Sequence, residues 1–306
     1  MKEANGKILK LPKVTPAVAM GPVEDDPVRR TSRYPREFLH HRFTYVVISP
    51  RARGLSVGVN MNPDKKCQFN CIYCEVDHAE NSEPQELDVN AMASELKTTL
   101  DYVHNGRLRE LHAYRKVPDE LLRLRHVALS GDGEPTLAPQ FAEALQAVLH
   151  VRALGGLPFF KLVLITNAVG LDLPPVQRGI CRLTKDDEIW AKLDGGTAAY
   201  LNRVNGVNVP LDKILSNILM VGRQRPIVIQ SLFPAINGQE PPFEEIEEFS
   251  RRLQELKRGG AQISAVQIYS ATRPVLHPEC GHLPLRVLSN IAATVRQMTG
   301  LKAEVF

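Results

Sequence analysis

Cys67, Cys71 and Cys74 fall within eight consecutive positions of the stretch PDKKCQFNCIYCEVD, residues 63–77, in the spacing CxxxCxxC. Thiolates this close converge on one metal centre, and two chemistries fit them: a structural zinc or an iron-sulfur cluster. Zinc takes four donors, and His78 would complete a Cys3His set. A cubane cluster held by three cysteines instead leaves one iron without a protein ligand, open to a small molecule. The chain has 5 cysteines, an odd number with three of them clustered, which points to metal or redox chemistry in a reducing compartment and away from a disulfide framework.

Other residues able to do chemistry come at regular intervals after this array. The segment SGDGEPTL, 130–137, offers glycines that let backbone approach a ligand and a carboxylate, Glu134, for a cationic amine; a plain turn is the alternative. Thr166 and Asn167 close one apolar run, and AKLDG closes the next with Lys192 and Asp194, which point the same way on a regular strand and could instead form a salt bridge between neighbouring units. Gln230, Ser231, Val266 and Tyr269 fall in the last two apolar runs and are positioned to line a ligand or substrate. Near the end, Arg273 and the group His277, Cys280 and His282 of HPECGH suggest a second metal or a reactive thiol, or simply loop residues. Cys181 sits in an apolar helical stretch and reads as a core thiol.

The elements that must carry these groups alternate in type. Short β-branched runs at 56–62, 126–131, 161–167, 188–194, 226–233 and 263–270 are separated by helix-period segments, the pattern of repeated βα units around a parallel sheet. Helical stripes are expected from Phe141, Leu145, Val148 and Leu149 in 139–151; from Phe243, Ile246, Phe249, Leu253 and Leu256 in 243–256; and from Leu285, Leu288, Ile291 and Val295 in 284–298, followed by GLKAEVF as a tail or edge strand. In such arrays ligands bind at the carboxyl ends of the strands, where the cysteines lie. The first unit is about twice as long as the others and holds a charged insert at 104–125. The expected division is an N-terminal extension at 1–54, a core at 55–280, and a C-terminal helix and tail at 281–306. With 43% hydrophobic and 24% charged residues, the composition excludes a disordered or fibrous chain. No apolar run is long enough to span a membrane, and a cytoplasmic protein is expected. Residues 1–53 carry eleven Lys and Arg against five Asp and Glu, net +6, so the rest of the chain, at +4 overall, is net −2; the basic arm is suited to phosphates.

The CxxxCxxC array with an aromatic, Tyr73, just before its third cysteine resembles the signature of the radical SAM superfamily, and the resemblance extends over roughly residues 55–270. It implies an α/β fold, a partial (β/α)6 TIM-like barrel with the basic N-terminal extension added. It also implies a 4Fe-4S cluster on Cys67, Cys71 and Cys74, and S-adenosylmethionine bound to the open iron through its amino and carboxylate groups. The activity implied is reductive cleavage to methionine and a 5'-deoxyadenosyl radical that removes a hydrogen atom from a substrate. Gly133 and Glu134 are similar to the family's GGE motif, which holds the methionine amino group, although Asp132 stands where its first glycine is usual. By the same resemblance Asn167, Lys192 and Asp194 contact ribose and carboxylate, and Tyr73 packs on the nucleoside; the electron donor is a flavodoxin or ferredoxin. The segments SVGVNMNPDKKCQFNCIYCEVD and LSGDGEPTL look most like the group related to 4-demethylwyosine synthases of tRNA, which favours tRNA or another nucleotide as partner. That group carries a second cluster near its N-terminus, and residues 1–66 contain no cysteine. Two other readings are a glycyl-radical activase or peptide-modifying enzyme of the same superfamily, and a zinc-stabilised protein that binds nucleic acid without catalysis.

Overall fold

The computed structural model describes residues 38–78, 86–207, 209–273 and 275–306. Residues 1–37, and with them most of the expected phosphate-binding arm, lie outside the described residues. The described chain builds one eight-stranded sheet in the order β1-β2-β3-β4-β5-β6-β8-β10. Its strands are β1 (Thr44–Ser49), β2 (Gly54–Asn60), β3 (Leu124–Ser130), β4 (Lys161–Thr166), β5 (Glu188–Lys192), β6 (Ile227–Leu232), β8 (Ile263–Tyr269) and β10 (Ala303–Val305). A separate two-stranded piece pairs β7 (Ala235–Ile236) with β9 (Cys280–Gly281). The six runs expected from β-branched patterning are all strands, and each is parallel to its neighbours from β2 through β8. The sheet curls into a half-barrel, as expected.

Two edge strands complete it. β1 pairs antiparallel with β2, a strand that lies within the stretch read as an extension, and the tail GLKAEVF supplies β10, parallel to β8. β2 is buried at all seven positions, as a strand covered on both faces must be. Strand alternation sorts the rest. Ile165, Trp190 and Val228 are neighbours in register and, with Val163, form a small cluster of their own on the inner face. Leu164, Ile189, Ile229, Val266 and Ile268 point the other way, into the main core beneath the helices.

The helices are α1 (Val89–His104), α2 (Asp119–Leu122), α3 (Phe141–Ala153), α4 (Pro174–Ile180), α5 (Ala198–Asn205), α6 (Leu211–Gln224), α7 (Phe243–Arg258) and α8 (Leu285–Thr299). Their stripes are buried as expected at Leu145 and Val148, at Ile246, Phe249, Leu253 and Leu256, and at Leu288, Ile291 and Val295. Two stripe members are corrected: Phe243 is 62% exposed and Leu285 68%. Each is the first helical residue after a proline, and helical side chains lean toward the N-terminus, which carries both past the end of the packed layer. Cys181 is corrected as well, because α4 ends at Ile180 and the thiol lies exposed at the cap. The charged insert is short turns, 107–110 and 112–114, followed by α2, and it docks through buried Tyr114, whose hydroxyl donates to Val46 O at 3.1 Å.

Candidate cysteine centre at the strand ends

The parallel strands all end on one side, and the loop that follows β2 crosses there with the three cysteines, each half-buried. Two neighbouring elements, the turn after β3 and the end of α5, pin this loop by its backbone. Glu134 N donates to Lys66 O at 2.8 Å, Asn70 N to Asn205 O at 2.8 Å, and Ile72 N to Val204 O at 2.9 Å. The first of these explains Gly133, because a Cβ there would stand 2.1 Å from Lys66 O. Asp132, the departure from the motif, is held by Asn60: its N–H donates to Asn60 Oδ1 at 3.1 Å and its Oδ2 accepts from Asn60 Nδ2 at 2.8 Å.

Around the loop the polar residues gather into two groups. The first centres on Glu134, which is buried. Its Oε1 accepts from Thr136 N, Thr136 Oγ1 and Thr166 Oγ1 at 3.1, 2.7 and 2.6 Å. Its Oε2 accepts from Asn167 N at 2.7 Å, which leaves that oxygen a second acceptor position. Asn167 continues toward the loop, its Nδ2 donating to Gln68 Oε1 at 3.0 Å and lying 3.9 Å from Cys67 Sγ. Burial raises the Glu134 pKa against the pull of these donors.

The second group joins β5 to the cysteines. Asp194 is fully buried, accepts from Leu232 N at 2.8 Å and lies 3.3 Å from Lys192 Nζ. Its other oxygen accepts from Asn205 Nδ2 at 2.8 Å and from the Tyr73 hydroxyl. Lys192 Nζ donates to the Tyr269 hydroxyl at 3.0 Å and sits 4.9 Å from the centre of the Tyr73 ring. Burial alone would lower the Lys192 pKa, but Asp194, Tyr269 and Cys71 outweigh it and the shift is upward. Tyr73 is likewise raised, by burial and then by Asp194. The pair read from AKLDG is thus a buried ion pair within one strand end, and Asn205, which sequence reasoning missed, ties it to Cys71 with an Nδ2 to Sγ distance of 3.2 Å. Only the dipeptide Asn205-Gly206 gave a signal, that of a helix stop.

The remaining candidates divide. Gln230 faces inward and donates to Gln267 Oε1 at 3.1 Å, with Tyr269 on the same face. Ser231 and Val266 lie on the opposite face from Gln230 and Tyr269: Ser231 donates to Leu193 O at 2.6 Å, and Val266 belongs to the core. That corrects the expectation that both line a ligand, and the reason is the two-residue period of a strand. The cysteines line a cavity of about 830 Å³ together with His78, Leu276 and His277. Arg273, His277, Cys280 and His282 line a second cavity of about 530 Å³. Arg273 reaches Glu75 of the cysteine loop at 3.1 Å, and His277 lines both cavities.

Two features of the cysteine loop bear on what it holds. Among the described residues, no three His, Cys, Asp or Glu side chains are gathered closely enough to hold a single metal ion. Within the loop, Cys74 Sγ lies 3.5 Å from His78 Nε2, and His78 Nδ1 donates to Lys65 O at 2.9 Å. Burial pushes the Cys67 thiol up to about 12 and Cys71 to about 11, so thiolates form here only against a strong positive charge such as bound metal. Two buried acceptors in the surrounding walls, Asn62 Oδ1 and Asn205 Oδ1, have no hydrogen-bond partner. Among the described residues, no helix is long and apolar enough to cross a membrane.

No protein-family model matches the chain. It is 30% identical over 173 residues to the UPF0026 protein of Helicobacter pylori strain 26695, covering 55% of this chain and 47% of that one. To the UPF0026 protein of Synechocystis sp. strain PCC 6803 it is 31% identical over 170 residues, 54% of each chain. The chain spans about half the length of the curated relatives it matches. Among solved structures, a radical SAM methyltransferase from Sphaerobacter thermophilus aligns with TM-score 0.60 and 15% identity over 86% of this chain and 68% of that one. TYW1 with a lysine-pyruvate adduct bound aligns with TM-score 0.54 and 15% identity over 83% and 84%. Streptococcus suis SuiB bound to S-adenosylmethionine gives 0.56 and 14% over 83% and 51%. At these identities the likeness is one of architecture: the chain resembles the radical SAM superfamily in its half-barrel fold as it does in its cysteine motif.

Proposed function

We propose that the chain is a radical SAM enzyme, with a 4Fe-4S cluster on Cys67, Cys71 and Cys74 and S-adenosylmethionine bound beside it. The observation that supports this best is the placement of the three thiols: they line one cavity at the carboxyl ends of a half-barrel's strands, the side on which parallel βα arrays bind their ligands. When bound, the reduced cluster and S-adenosylmethionine supply a 5'-deoxyadenosyl radical for hydrogen abstraction.

The chain's own residues then have distinct parts. The buried Glu134 carboxylate keeps an acceptor position on Oε2 for an ammonium group, and the orphaned Asn62 Oδ1 offers another acceptor nearby. Gly133 holds the loop against β3 by close contact. Asn167 connects Glu134 to the loop, while Lys192 and Asp194 form the polar wall on the β5 side with Tyr73 between them and Cys71. Burial of Tyr73 keeps its hydroxyl protonated as a donor to Asp194. The substrate we favour is tRNA or another nucleotide, supported by the basic composition of residues 1–53 and by the resemblance of SVGVNMNPDKKCQFNCIYCEVD and LSGDGEPTL to the 4-demethylwyosine-synthase group.

A second reading, a zinc-stabilised binding protein, draws on the 3.5 Å approach of Cys74 and His78. Anaerobic reconstitution with iron and sulfide separates the two. The expected outcome is a brown protein whose reduced EPR signal changes on adding S-adenosylmethionine and which releases 5'-deoxyadenosine with dithionite. A colourless protein that takes up one zinc and no cluster overturns the enzyme reading.

A further inference from the structure

Asn205 is the last residue of α5, is fully buried, and is followed by Gly206 in the left-handed region at φ +55°. A helix end leaves carbonyls without intrahelical partners, and here two of them are taken up by the cysteine loop: Val204 O accepts from Ile72 N and Asn205 O from Asn70 N. The side chain of the same residue reaches the loop independently. Its Nδ2 lies 3.2 Å from Cys71 Sγ, 3.0 Å from the Tyr73 hydroxyl and 2.8 Å from Asp194 Oδ2, while its Oδ1 meets no partner. Carboxylate oxygen and thiolate sulfur accept only, so the amide is fixed this way round; turned over, its oxygen would face both. The amide that approaches Cys67, Asn167 Nδ2, is farther off at 3.9 Å, and its short hydrogen bond goes to Gln68 Oε1 at 3.0 Å.

We propose that Asn205 is the positioning residue of the cysteine centre: it fixes the Cys71 sulfur by an N–H donor and thereby makes the centre easier to reduce. The physical reason is that an added electron increases the negative charge on the cluster and its thiolates, and a hydrogen bond to a ligating sulfur stabilises that charge. In a site whose walls already hold Asp194 and Glu134, a neutral donor at the sulfur does this without adding a counter-charge that must itself be buried.

The inference rests on the cluster reading above, and the test keeps the two apart. Asn205→Leu and the smaller Asn205→Ala would be reconstituted beside the wild-type chain, with iron content, circular-dichroism melting and the midpoint potential of the cluster measured by an EPR-monitored redox titration. Expected is full cluster content with a midpoint more negative than wild type in both variants. A midpoint unchanged in either variant that carries a cluster overturns the proposal. So does failure of both to take up iron while melting like wild type, since Asn205 would then serve assembly alone. A wild-type chain that forms no cluster overturns the cluster reading itself.

Discussion

Burial governs the polar side chains of the inner face residue by residue. His126, at the start of β3, is 4% exposed and packs edge-on to Trp190 with ring centres 5.2 Å apart. Desolvation depresses its pKa to about 4, Glu188 pulling it back up while Lys161 and Arg51 push it further down. Because the fold prefers the neutral ring, the unfolded chain takes up the proton first. Stability is therefore complete above about pH 6.5 and is lost as pH falls toward 4. Between pH 7 and pH 5 the loss is about 2 kcal/mol from this residue, and His126→Phe is expected to remove that part of the pH dependence, read from urea unfolding at the two pH values. Glu134→Gln puts an NH2 group among four donors. We expect it to cost about 1–3 kcal/mol of stability and, as a cofactor residue, to weaken S-adenosylmethionine binding to reconstituted protein at least tenfold by calorimetric titration, about 1.4 kcal/mol. Unchanged affinity would remove Glu134 from the site.

At the scale of elements, the cysteine loop has almost no regular structure and is shaped by what grips it: the turn after β3, and the end of α5. Gly133→Ala tests the first grip. A methyl group 2.1 Å from Lys66 O forces the backbones apart and breaks the Glu134 N–H bond to that carbonyl. The expected cost is about 2–4 kcal/mol, from a lost hydrogen bond plus overpacking, with less iron retained after reconstitution; wild-type stability and iron content would mean that the loop is held elsewhere. The ion pairs between elements are unequal. Arg152 of α3 meets Asp187, ahead of β5, through two contacts at 2.7 and 3.1 Å with side chains 10% and 0% exposed. Removing Arg152 leaves a buried carboxylate, and Arg152→Ala is expected to cost about 3–5 kcal/mol by urea unfolding.

Across the whole molecule, the sheet is open, and its edges are bridged where Arg53, after β1, reaches Glu304 of β10 at 3.0 Å and lies 5.9 Å from the Phe306 ring. The Arg53 side chain is 69% exposed, so Arg53→Ala is expected to cost less than about 1 kcal/mol by the same unfolding measurement; a larger loss would mean that edge closure matters to the fold. The cysteine spacing, the six parallel strands, the Gly133-Glu134 turn and the polar strand ends were all legible in the sequence, because each is a local pattern: ligand spacing, two-residue alternation, turn chemistry. Local pattern also carried the stripes of α3, α7 and α8, and failed at Phe243 and Leu285, whose exposure depends on where the neighbouring layer stops. Only the tertiary structure decided that β1 joins the sheet, that Lys192 and Asp194 pair with one another, and that Asn205 meets Cys71. Asn205 and Cys71 are 134 positions apart and Arg53 and Glu304 are 251 apart. Contacts of that kind leave no period in the chain, since they exist only once the sheet has curled and brought its strand ends and edges together.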